Sequence, residues 1–141
     1  MDMKKFALAT IAGGVALFIL GYVFYELLLS GFFEANGGTA TGVMKEAPVF
    51  WAVLLGELGA AALITLALGW AGASGAGDGF KTAAKVGFLV SFSINFIIFG
   101  VMNISSLTAV IVDLPVAAIR WGIAGAVIGV VTSKLGEATG G

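Results

Sequence analysis

The chain has 141 residues, of which 60% are hydrophobic and 11% charged, with a net charge of -1 and neither histidine nor cysteine. A mean hydropathy of +1.09 is foreign to a water-soluble domain of this length and makes the bilayer the expected solvent and first partner. The near-neutral balance offers no basic field to nucleic acid. Without Cys and His there are no disulfides, Cys/His zinc or iron–sulfur sites, or histidine-ligated haem. No cofactor or metal is expected.

Four apolar stretches, residues 6–29, 49–70, 86–104 and 107–132, are each long enough to cross hydrocarbon about 30 Å thick at about 1.5 Å per residue. The expected fold is therefore all-α: a polytopic membrane protein with four transmembrane helices in an up-down antiparallel bundle. Residues 1–141 then form one membrane domain.

The first stretch follows Lys4 and Lys5, but it far exceeds the roughly 7–15 residues of a signal-peptide core and reads as a retained anchor. Near its end, Tyr22 and Glu26 are four apart and share a helix face. Residues 30–48, "SGFFEANGGTATGVMKEAP", form an external loop suited to a lid or docking role, with Phe32 and Phe33 at the interface and Pro48 in the first turn of the next helix.

The second stretch carries Glu57 between Trp51 and Trp70, which suit interfacial anchoring. Residues 71–85, beginning "AGASGAGDGF" and ending in Lys81 and Lys85, read as a cytoplasmic Gly/Ala/Ser linker. The third stretch places Ser91 and Asn95 on one face and turns tightly through "NISSL" into the fourth. If the N-terminus is cytoplasmic, Lys4, Lys5, Lys81, Lys85 and Lys134 lie inside and Lys45 alone lies outside, so the positive-inside rule puts both termini in the cytoplasm.

The fourth stretch, containing "VDLPVAAIRWGIAG", is the most informative, because it holds Asp113, Pro115 and Arg120 in an otherwise apolar run. Each charge left in lipid would cost at least about 2.5–3.5 kcal/mol, so these side chains must face other helices. Counted from the outer ends, Asp113, Asn95 and Glu57 lie about 9, 10 and 12 Å deep and Arg120 about 20 Å. The guanidinium leans outward toward the helix N-terminus, which makes Glu57 its natural counter-ion. Asp113 lies about 10.5 Å from Arg120 along the axis, too far for a direct pair.

The expected constellation is an outward-open polar cavity lined by Tyr22, Glu26, Glu57, Asn95 and Asp113, with Ser91 beside Asn95 and Arg120 as the floor. The bland alternative is interhelical glue, each contact contributing about 0.6–2 kcal/mol. Gly122, Gly125 and Gly129 form a small-residue seam for close helix packing, within the chain or against a second one.

The stretches "GYVFYELL" and "LTAVIVDLPVAAIRWGIAGAVIGVV", with the long external loop between them, resemble the layout of small bacterial four-helix membrane proteins classed as domains of unknown function. The resemblance implies a four-helix bundle in the bacterial inner membrane and supplies no activity. Three functions fit. The leading expectation is a non-enzymatic accessory subunit packing against a protein partner or a second copy. The next is a solute-binding or transport module built on Glu57, Asn95, Asp113 and Arg120. The third is an intramembrane enzyme with Glu57 or Asp113 as acid or base.

Overall fold

The computed structural model describes residues 2–138, and they are helical apart from residues 2, 29, 36–49, 72–74 and 102–106. Helix α1, Met3–Gly21, continues without a break as a π-helical turn, Tyr22–Leu28. A short α2, Ser30–Ala35, precedes the loop, and α3, Phe50–Ala71, α4, Gly75–Val101, and α5, Leu107–Ala138, follow. Four helices are long and apolar enough to cross a membrane: Met3–Leu28, α3, α4 and Leu107–Gly136. The all-α expectation with four spanning helices therefore holds. Pro48 falls just before α3 rather than inside its first turn, and α5 runs unbroken through Pro115.

The main departure from expectation is the linker over 71–85. Only residues 72–74 connect α3 to α4: Gly72 closes α3 at φ 64°, and Ser74, which precedes α4, donates its N–H to Asp78 Oδ2 at 3.3 Å. The supposed linker is the first part of α4, and its glycines serve close packing. A methyl group added at Gly79 would overlap the Gly125 carbonyl, and one at Gly129 would overlap the Gly75 carbonyl. Gly75 N–H also donates to Ser133 Oγ at 2.9 Å, which ties the start of α4 to the end of α5.

Paired positions on α4 and α5 run in opposite order: Gly75 meets Gly129, Gly79 meets Gly125, Gly87 meets Trp121, and Asn95 meets Asp113. On α4 these residues belong to one row spaced by four, Gly75, Gly79, Ala83, Gly87, Ser91 and Asn95. Such a row winds slowly around the helix, as a partner helix crossing it does, and lets backbones approach closely where it is small. Trp121 is thereby only 8% exposed and packs inside the chain. Gly122, Gly125 and Gly129 likewise meet Phe80, Ala83, Gly79 and Gly75 of the same chain.

α5 is the central element: 44% of its most apolar window is buried, against 6% for α4. Its Trp121, Ala124 and Ile128 join Ala9 and Leu17 of α1, Ala61, Ile64 and Leu68 of α3, and Ala83 of α4 in one core. Gly13 and Gly14 admit the Ile128 and Leu58 side chains to the α1 backbone. The outward faces remain apolar, with Ile11, Ile19, Leu55, Leu89, Ile97 and Ile111 at least half exposed. A helix bundle apolar on its outside as well as its inside suits lipid as solvent.

The loop between α2 and α3 is anchored at its first half. Gly37 bridges Ser105, Ala40 N–H donates to the Asn103 carbonyl at 2.8 Å, and Ser106 Oγ donates to the Asn36 carbonyl. Ser106 Oγ also accepts from Ala109 N–H at 3.1 Å, capping α5. The loop thus straps across the α4–α5 connection, while residues 41–49 stay exposed.

Candidate functional site

Two polar clusters lie between the helices toward this strapped end. In the first, Arg120 Nη1 donates to Glu57 Oε1 at 2.8 Å and to the Leu17 carbonyl at 3.3 Å, joining α5, α3 and α1. The side chains are 13% and 16% exposed, respectively, so the expected counter-ion pair forms and is largely withdrawn from its surroundings. The pair lies against Gly21, where an added methyl group would sit in ordinary contact with Glu57 Oε1 at 3.4 Å and Arg120 Nη1 at 3.5 Å. Arg120 Nε is buried without an acceptor among the described residues.

In the second cluster Asp113 accepts from three side chains. Tyr25 O–H reaches Oδ1 at 2.6 Å, while Asn95 Nδ2 and Ser91 Oγ reach Oδ2 at 2.7 and 3.2 Å. Asn95 also donates to Ser91 Oγ at 2.8 Å. Three donors on one carboxylate compensate its removal from water without a cation. Asp113 and Arg120 do not pair directly, as their spacing predicts. Tyr25 links them, since its ring lies 5.5 Å from the guanidinium carbon while its hydroxyl holds Asp113.

Tyr25 is the site residue the sequence reading missed. Tyr25 lies in the π-segment, whose wider i→i+5 turn shifts side-chain directions from those that the 3.6-residue period predicts. Tyr22 and Glu26 are exposed on that turn and still line the cavity, as expected. Phenylalanine at Tyr25 would keep the ring over Arg120 and delete the hydroxyl. Tyr25→Phe is expected to destabilise by about 1–2 kcal/mol, and thermal unfolding in mild detergent against Tyr25→Leu separates the hydrogen bond from the ring contact.

The predicted single cavity is divided. A cavity of about 370 Å³ lies between α1 and α3, walled by Phe18, Tyr22, Tyr25, Phe50 and Val53, with Glu57 at one end and Glu26 and Pro48 at the other. Asn95, Ser91 and Asp113 do not line it, because Tyr25 stands between them and the cavity. Arg120 does not line it either and lies behind Glu57 instead of forming an open floor. Glu57 is thus the buried charge that the cavity reaches. The chemistry on offer is a carboxylate with one oxygen held by an arginine, in a predominantly aromatic enclosure.

No protein family, no curated protein and no solved structure matches this chain.

Proposed function

We propose that this chain is an integral membrane protein that binds a small molecule in the α1–α3 cavity, with the Glu57–Arg120 pair as the polar end of the site. The observation that carries this reading is the position of the pair: an intramembrane ion pair that borders a cavity has a use beyond holding helices together. A π-turn at the cavity wall supports it, since such turns concentrate at functional sites. The glycine seam of α5, which would otherwise favour an accessory subunit, is occupied by α4 of the same chain.

Lysine placement supports an up-down arrangement with both termini in the cytoplasm and the cavity facing outward. A bacterial inner-membrane location belongs to the same proposal. An accessory role is the second reading, favoured by one observation, the stacked row Phe88, Phe92 and Phe96 along the sparsely buried α4.

Native mass spectrometry of protein gently extracted from its own membrane decides between the two. A lone chain or small homo-oligomer carrying a small molecule, lost in Glu57→Gln, is the expected result. Stoichiometric association with larger subunits and no bound small molecule would replace the binding reading with the accessory one.

A further inference from the structure

We propose that the α1–α3 cavity takes a lipophilic organic cation, a protonated or quaternary amine on an apolar body. This rests on the binding reading above and adds the charge and chemical class of the ligand.

The sign of the charge follows from what lines the cavity. Its ionisable carboxylates are Glu57 and Glu26, and no lysine or arginine lines it. Arg120 does not line the cavity: its Nη1 is engaged by Glu57 Oε1 and the Leu17 carbonyl, and its Nε is buried. Glu57 Oε2 accepts no hydrogen bond from a described residue, so an ammonium group can approach it without displacing Arg120. An anion in the same place would meet Glu26 and the free oxygen of Glu57 before it reached Arg120.

The walls point the same way. Phe18, Tyr22, Tyr25 and Phe50 contribute four aromatic rings, and Phe18 meets Phe50 edge to face at 6.3 Å across the two helices. Ring faces within about 6 Å attract cations, and a cage of several is the usual way quaternary ammonium is held. Tyr22 and Phe50 are 52% and 58% exposed on the outer side of the helices, so the entrance is itself apolar and admits a ligand with an apolar body. A second cavity of about 390 Å³ at the opposite end, lined by Met3, Phe6, Thr65, Leu66, Gly69 and Trp70, has no ionisable side chain and lacks this charge selectivity.

The test uses full-length protein in nanodiscs of zwitterionic lipid and three probes of similar size: phenyltrimethylammonium, its neutral isostere tert-butylbenzene, and benzenesulfonate. The cation is expected to bind about tenfold or more tighter than the neutral isostere, with no measurable binding of the sulfonate. Glu26→Gln and Tyr22→Leu, both at exposed positions that leave the fold intact, should each weaken the cation about three- to tenfold and the isostere by less. Equal affinity for cation and isostere would overturn the proposal by making the cavity a plain apolar slot for acyl chains. Preferred binding of the sulfonate would overturn the ligand class while leaving the binding reading intact. If all three probes fail and native mass spectra carry no bound molecule, both readings fall together.

Discussion

Replacing Arg120 by leucine is expected to destabilise the protein by about 3–5 kcal/mol. The guanidinium satisfies both Glu57 Oε1 and the Leu17 carbonyl, and its loss leaves a carboxylate 16% exposed with no partner among the helices. Most of that cost is the uncompensated charge rather than the value of the pair. The double replacement Glu57→Leu with Arg120→Leu is therefore expected to recover the larger part, since two apolar side chains of similar bulk leave little to satisfy. Thermal unfolding of the two single variants and the double variant in mild detergent gives the coupling. A double variant no more stable than Arg120→Leu alone would show that the two residues are not energetically paired. Asp113 should be little affected in any of them, because its three donors come from Tyr25, Ser91 and Asn95.

An effect of comparable size is expected at Gly125. A first side-chain carbon there would already overlap Ala83 Cβ and the Gly79 carbonyl, and backbone cannot move aside as a flexible side chain can. Gly125→Val is expected to cost at least about 3 kcal/mol and to reduce the yield of monodisperse protein. Gly59→Ala is the matching control, since a methyl group at Gly59 meets nothing within 4 Å. By helix propensity alone it should stabilise α3 by up to about 1 kcal/mol. Equal tolerance of the two changes would mean that α4 and α5 do not lie in backbone contact.

Much of the architecture is legible in the sequence because lipid imposes one requirement on long segments, continuous apolarity, and four segments meet it. The Glu57–Arg120 pair is legible for a related reason: charges so rare in the spans have few partners to choose from. Tyr25 is not, because reading it requires knowing that the helix widens after Gly21, and nothing in "YVFYELL" announces an i→i+5 turn. The error over residues 71–85 has a different origin. Gly, Ala and Ser are the composition both of a flexible linker and of a close helix seam. What separates them is spacing, and the four-residue rhythm of Gly75, Gly79, Ala83 and Gly87, running on into Ser91 and Asn95, was there to be read. The division of the cavity was not legible, since it depends on the Tyr25 ring standing between two clusters that depth alone puts together.

The backbone contact between α4 and α5 also apportions motion within the molecule. Two helices touching main chain to main chain have no side-chain layer through which to slide, so they form a stator. Shape change then falls to α1 and α3, which enclose the cavity and whose joint wall is built from side chains. The π-turn gives α1 a means of moving without breaking. Conversion of Tyr22–Leu28 to ordinary α-helical bonding would rotate everything beyond Gly21, withdrawing Tyr25 from Asp113 and from the face of Arg120 in a single step. Register shifts of this kind take microseconds to milliseconds, and the widened turn is where relaxation-dispersion signals should concentrate.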